Sequence, residues 1–297
     1  MKNALLAGLI PFMLMLSACQ NNPPIPDNSI NSNASAQDYL IAAFNLRNFG
    51  PARLEKPQAM QTIVNILRRY DLVVLIELRD RTGGSFAELL AQINAQSGHQ
   101  YALQLSQRSG RGNRKEQYGF LYRLDRVNIL DFYDYDDGLE PDLDSFEREP
   151  AVAYVDLAGL TLTLIAIHTD PDTVALELNR LIPVYQDAVL RTGDNDAIIL
   201  GDFNADCSFL PERDKPFINL LHDDRFIWLL GDEVDTTVRA STDCAYDRIV
   251  VTDTLNRFLP FDAANVYDYS TVLGLDEATA LDVSDHFPVE VRLIVQP

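Results

Sequence analysis

The sequence predicts an α/β fold, a sandwich of sheets flanked by helices. Three features point there. Aliphatic runs such as 72–76 and 197–200 are short and uninterrupted, as in strands covered on both faces. Between them lie segments whose apolar residues recur at helical spacing, Met60, Ile63, Val64 and Leu67 being the clearest. Several runs stop on a polar residue, among them Glu77, His168 and Asp202, so chemistry gathers where strands end.

Taken in order, Met1, Lys2 and Asn3 followed by an apolar run to Leu16 read as a signal peptide, too short and too interrupted by Pro11 for a spanning helix. Leu16-Ser17-Ala18-Cys19 resembles the lipobox of bacterial lipoproteins. Residues 1–18 are then a cleaved signal and Cys19 a lipidated N-terminus. Asn, Ser and Pro dominate the rest of 19–37, which buries nothing and reads as a disordered tether. Residues 38–297 show no repeat and no second linker, hence one domain.

Within that domain, 39–44 reads as a first strand and Pro57 opens a helix that Asp71 stops. Strand 72–76 delivers Glu77, a residue costly to bury unless paired or liganded. Ser85, with Glu88 three residues on, caps a second helix over 85–96. Strands 101–105 and 120–122 flank a loop carrying Arg108, Arg111, Arg114 and Lys115, whose glycines suit close approach to phosphate. Residues 131–149 form an acidic loop with Asp136, Asp137, Asp142, Asp144 and Glu149, a setting for calcium.

A hairpin, 151–156 and 161–167, presents His168. Val174, Leu178, Leu181, Ile182, Tyr185 and Val189 trace a helical face that Pro183 should kink or break. After strand 197–200, Gly201 is expected to let the backbone turn before Asp202 and Asn204. Asp247 leads into strand 249–251, and Asp285 and His286 precede the alternating Val289, Val291 and Leu293.

Composition sets limits. The chain has 297 residues and a net charge of −20, against a protein that coats nucleic acid generally; contact with a polyanion must be local. Of three cysteines, Cys19 serves the anchor, leaving Cys207 and Cys244 to pair in an oxidising compartment. Closing that loop is worth about 3–4 kcal/mol in the chain-entropy model.

Of four histidines, His99 and His222 lack informative neighbours, whereas His168 and His286 sit at strand junctions. So do Asn45, Glu77, Asp202, Asn204, Asp247 and Asp285. Two histidines, each oriented by a carboxylate, suit in-line phosphodiester hydrolysis, one taking a proton from water and one protonating the leaving oxygen. A hard cation would offset the charge that develops, and an arginine would clamp the phosphate.

The strings AFNLRNFG, RRYDLVVLIELRD, GRGNRKEQYGFLYR, DSFEREPAV, GDFNADCS, CAYDRIVV and DVSDHFPVEV resemble, in that order, the secreted deoxyribonuclease I family of the endonuclease/exonuclease/phosphatase superfamily, with wording close to its gamma-type members. The resemblance spans 39–295 and implies two packed, mostly antiparallel β-sheets flanked by helices. It implies that Glu116 orients a general acid, His168, and Asp247 a general base, His286. It gives Glu77, with Asn45 and Asp285, to magnesium or manganese, and has Asp202 and Asn204 complete the phosphate and metal site. Arg47, Arg79 and Arg148 match DNA-contact positions, beside the loop cations Arg111 and Arg114. Asp136, Asp144 and Glu149 match one structural calcium site, Asp235 with Thr237 another, and Cys207 with Cys244 the family disulfide. Two departures stand out: Ile76 replaces a glutamine common before the metal glutamate, and Arg114 replaces an aromatic that enters the minor groove.

The expectation is therefore a metal-dependent endonuclease on double-stranded DNA, monomeric and lipid-anchored in a bacterial envelope, at the outer membrane because Gln20 follows the anchor. The competing readings are a phosphodiesterase for lipid head groups or small phosphate esters, and a non-catalytic surface binding protein on the same fold.

Overall fold

The computed structural model describes residues 36–112, 115–138 and 145–296. The signal, Cys19 and nearly all of the tether, together with Arg114, Asp142 and Asp144, lie outside them. Among the described residues no helix is long and apolar enough to cross a membrane.

The chain opens with β1 (Gln37–Phe49), α1 (Pro51–Leu54), α2 (Pro57–Leu67), β2 (Leu72–Leu78), α3 (Gly84–Ser97), β3 (Tyr101–Leu105) and β4 (Gln117–Arg123). It continues through β5 (Asn128–Asp134), β6 (Ala151–Leu157), β7 (Leu160–His168), α4 (Val174–Thr192) and β8 (Ala197–Asp202). It closes with α5 (Asn219–His222), β9 (Phe226–Trp228), β10 (Asp247–Thr252), β11 (Ala264–Val266), α6 (Tyr269–Leu273), α7 (Glu277–Val283) and β12 (Val289–Val295).

Two six-stranded sheets result, ordered β11-β12-β1-β2-β4-β3 and β5-β6-β7-β8-β10-β9. Each is antiparallel except for its central pair, β1 with β2 and β7 with β8. Both parallel pairs need a crossover, which α1–α2 and α4 supply. The two sheets thus repeat one plan that leaves no trace in the sequence.

Alternation explains the uninterrupted aliphatic runs. Ile41, Ala43, Val74 and Ile76 point inward against Leu164, Ala166, Ile198, Leu200 and Ile249 of the other sheet. Their neighbours Ala42, Phe44, Val73 and Leu75 point outward under Met60, Ile63, Phe86 and Leu89. On the second sheet Ile165, Ile167 and Ile199 lie under Leu178, Leu181 and Val184 of α4. Every central strand is covered twice.

Four local expectations need correcting. The helix α4 runs through Pro183 without ending, because Leu178, Leu181, Val184, Tyr185 and Ala188 are buried around it. Leu178, Leu181 and Val184 alone, at about 1.5–3 kcal/mol each, outweigh the roughly 3 kcal/mol a helical proline costs. Ser85 does not cap α3: Gly83 holds that position, and the Asp80 carboxylate accepts from the Ser85 amide and hydroxyl instead. Residues 128–134, part of which reads as loop, form the edge strand β5, the exposed Asp131 and half-buried Asp134 masking the pattern. Gly201 does not turn the chain; β8 continues through it to Asp202. It is needed because a Cβ there would stand 2.0 Å from the Ile167 carbonyl oxygen, at a φ of +147°.

Candidate active site

Topology brings the polar residues together. The C-terminal ends of β1, β2, β7 and β8 carry Asn45, Glu77, His168 and Asp202. The strands antiparallel to them, β4, β10 and β12, begin at that same end, behind or at Glu116, Asp247 and His286. Register fixes the neighbours: Asp202 stands opposite His168 on one side and Asp247 on the other.

The geometry centres on Asp202, which is 2% exposed. Its Oδ2 lies 3.6 Å from His168 Nε2 and 3.7 Å from His286 Nε2. Each imidazole uses its other nitrogen on a carboxylate of its own: His168 Nδ1 is 2.5 Å from Glu116, and His286 Nδ1 is 2.7 Å from Asp247. The Asn45 amide donates to Glu77 Oε1 at 3.1 Å and to Asp202 Oδ2 at 3.0 Å. Glu77 Oε2 accepts from the Asn48 amide at 2.8 Å. Strain concentrates here, with Arg47, Asn48, Glu77 and Asn204 all at φ between 46° and 61°. In β1 it accompanies a register shift between Asn45 and Phe49.

Electrostatics follow from burial and pairing. Burial pushes the Glu116 carboxyl up, but the His168 charge and hydrogen bond, with Arg148 and Arg79, outweigh it and hold it at about 2. Burial works against the His168 charge, and Glu116 more than offsets it, so that imidazole is raised. For His286 burial is again overcome, by Asp247 and Asp202, and it is pushed up to about 10. Asp247, desolvated and next to Asp202, rises to about 6.

The donor set fits a hard divalent cation. Glu77, Asp202 and Asp285 offer carboxylate oxygens, and Asp247 Oδ1 is buried with no hydrogen-bond partner. Asp202, Asp247 and His286 each place a ligand atom within 4.8 Å of the others'. The positive end of the Asn45 amide sits between Glu77 and Asp202, where a positive charge is favoured.

Known proteins resemble this chain in sequence and in fold. The model of the Endonuclease/Exonuclease/phosphatase family matches residues 42–286. Human deoxyribonuclease gamma is 39% identical over 266 residues, covering 87% of both chains. Bovine deoxyribonuclease-1 is 40% identical over 259 residues, covering 85% of this chain and 91% of that protein. The chain belongs to the deoxyribonuclease I family. Among solved structures, the endonuclease/exonuclease/phosphatase from Bacteroides vulgatus superposes with a TM-score of 0.59 at 14% identity, over 88% of this chain and all of that one, a likeness of fold.

In this member of the deoxyribonuclease I family the expected DNA-contact arginines pair with carboxylates of the site. Arg47 pairs with Asp285 at 3.2 Å. Arg79 bridges Glu77 and Glu116 at 3.4 and 3.2 Å. Arg148, matched to a DNA-contact position, is buried: Nε is 3.0 Å from Glu116 and Nη2 donates to the Thr169 carbonyl, so it props the carboxylate that holds His168. Arg108 ties its own loop by donating to the Arg79 and Lys115 carbonyls. Arg111 donates its amide to Glu147. Asn204 gives its amide nitrogen to the Thr169 carbonyl, leaving its oxygen for the site.

Of the first calcium set, Asp136 and Glu149 line one pocket of about 540 Å³ together with Arg108 and Arg111. Of the second, Asp235 Oδ1 accepts from the Thr237 amide and hydroxyl and the Cys244 amide, all donors of its own loop. Cys207 and Cys244 are joined, tying the loop after Asp202 to the loop before Asp247. His99 lies exposed against Asp125 and His222 at the end of α5, both away from the site.

Three supporting residues escape sequence reasoning. Thr236 Oγ1 accepts from the Tyr246 and Asp247 amides, the Tyr118 hydroxyl oxygen accepts from the His168 amide, and Ser284 Oγ donates to the Asn45 carbonyl. Each acts through backbone, and only its nearness in sequence to a site residue (Thr236 to Asp235, Ser284 to Asp285) could have drawn notice.

Proposed function

We propose that this protein is a divalent-metal-dependent endonuclease that hydrolyses phosphodiester bonds of double-stranded DNA by histidine acid–base catalysis. The observation that supports it most is that two imidazoles, each seated on a carboxylate, direct their Nε2 atoms to one Asp202 oxygen beside Glu77. A phosphate at that point would meet a proton donor on one flank and an acceptor on the other.

His286 takes a proton from water as its oxygen bonds to phosphorus, and Asp247 stabilises the imidazolium that forms. The bond to the 3′ oxygen breaks, and His168, protonated at the start, gives its Nε2 proton to it, leaving phosphate on the 5′ side. Asp247 and Asp202 hold the charge that raises His286, so neutralising Asp202 brings the imidazole towards the range of a base. Glu77, with Asn45, Asp202 and Asp285, would hold magnesium or manganese, which when bound supplies neutralisation of the phosphorane-like charge. Asp136, Asp144 and Glu149, and Asp235 with Thr237, are assigned to structural calcium. Arg111 and Arg114 are assigned to DNA phosphates, with Arg47 and Arg79 closer to the scissile one and Arg148 behind them, holding Glu116.

Residues 38–297 are the catalytic domain, a monomer, held by Cys19 and the 19–37 tether to a bacterial outer membrane. Labelling with a fatty-acid analogue should fail on Cys19→Ser. The activity is tested by nicking of supercoiled plasmid with magnesium and calcium, wild type against His168→Ala. General acid–base catalysis is worth ~10²–10⁴ in rate, so a variant within about tenfold of wild type removes His168 from its role. A chelator should abolish nicking, and metal-independent activity would sink the metal assignment.

A further inference from the structure

Alternation along β10 sends Asp247 inward to His286 and the next residue, Arg248, to the opposite face of the sheet. Ile249 joins the core between the sheets, and Val250, on the same side as Arg248, joins the cluster under α4. Arg248 is 1% exposed, and a buried guanidinium is retained only where its donors are used.

Those donors are divided between two loops. Nη2 donates to the Ala205 carbonyl at 3.3 Å, and Nη1 to the Leu230 and Gly231 carbonyls at 2.8 and 2.5 Å. One carboxylate, Asp232, answers the charge, and it also accepts from Lys215 Nζ at 2.6 Å. Lys215 in turn lies 3.6 Å from Asp206, so the alternating charges Arg248, Asp232, Lys215 and Asp206 close a ring on the loop that Ala205 belongs to.

Both loops carry residues of the site. Ala205 directly follows Asn204, which stands at a φ of 47° with its side-chain oxygen left for the site. Gly231 and Asp232 lead to Thr236, whose hydroxyl accepts from the Asp247 amide. An apolar side chain of similar volume would fill the space behind β10 as well, but would leave the three carbonyls unheld.

We propose that Arg248 is a positioning residue: through the Ala205 carbonyl it fixes where the Asn204 oxygen stands against the scissile phosphate, while Asp232 and Lys215 hold the guanidinium. The inference rests on the reading of Asn204 as part of a phosphodiesterase site. With its carbonyl neighbour held, Asn204 keeps its left-handed conformation during the reaction. With that carbonyl free, the peptide rotates and the oxygen leaves its place.

The test uses the full chain, supercoiled plasmid and a double-mutant cycle on nicking, with rates taken per folded enzyme from the urea unfolding curve of each variant. Arg248→Met keeps length and apolar volume without the donors. It should lower kcat by ~10- to 100-fold, the scale of a misplacement of about an ångström, with KM within about threefold because phosphate contacts along the duplex set plasmid affinity. On Asn204→Ala, where no side-chain oxygen remains to be placed, the same substitution should change kcat by less than about threefold. Equal losses in the two backgrounds would show a general effect on the fold and overturn the proposal, as would a loss confined to KM. If Arg248→Met does not fold, Asp232→Asn keeps the shape of a half-exposed carboxylate and releases the guanidinium; its loss must likewise vanish on Asn204→Ala. Should Asn204→Ala nick as fast as wild type, Asn204 is no part of the site and the brace falls with it, a failure seen before Arg248 is changed.

Discussion

Replacing Glu116 by Gln tests the acid side of the site through two independent readouts. The carboxylate is 2% exposed and holds three cations at once: His168 Nδ1 at 2.5 Å, Arg148 Nε at 3.0 Å and Arg79 Nη2 at 3.2 Å. Those contacts lower it from an ordinary 4.5 to about 2. A shift of that size corresponds to about 3 kcal/mol of stability, with little solvent screening for so buried a group. Because the folded value is depressed, this stability is present above pH 4.5 and is lost as pH falls towards 2. Glutamine keeps the shape and removes the charge, leaving His168 and the arginines facing one another. Urea unfolding at pH 7 should show a loss of about 3 kcal/mol, and the variant's acid-side dependence should flatten. Without Glu116 the His168 proton is held less tightly, so the alkaline limb of the nicking profile should move to lower pH, with a rate loss of ~10²–10⁴. An alkaline limb that stays in place while the rate falls would refute the reasoning, because His168 would not be the group that Glu116 tunes.

Other outcomes follow from the same geometry. Gly201→Ala should cost more than about 3 kcal/mol, since its Cβ meets a backbone oxygen at 2.0 Å; an unshifted melting temperature would show that β7 and β8 can part. Glu177 is fully buried, with Oε2 unpartnered and Oε1 accepting from the Glu147 amide next to Arg148. Burial raises it to about 7, so its stability is full below pH 4.5 and lost as pH rises through 7. Glu177→Gln should therefore gain stability over wild type by about 3 kcal/mol at pH 8 and little at pH 4, and equal differences at both would exclude the cause. Cys207→Ser with Cys244→Ser opens a 37-residue separation and should lose about 4 kcal/mol; an unaltered urea midpoint would mean the unfolded chain is not restrained by the bridge.

Much of the site was legible because acid–base and cation chemistry admits few residue types, and each of them stood beside a strand's apolar run. Glu77, His168 and Asp202 end such runs, and the strings around Glu116, Asp247 and His286 carried the family resemblance. The inward turn of Arg148 was not legible, since a cation's partner depends on what lies across the sheet, here the His168 backbone twenty residues away. Nor were the edge strands β5, β9 and β11, which are short or half-exposed and show neither period cleanly.

By itself the sequence determined which residue types stand at the strand ends and the alternation that makes two sheets stack, because side-chain type and periodicity are local properties of a chain. Tertiary structure alone decided that Asp202 is the common centre, that Gly201 is kept for closeness rather than for turning, and that Arg248 holds two loops behind the site. Those are distances between segments far apart along the chain, set by register and by how parallel and antiparallel strand ends coincide, which no single stretch encodes.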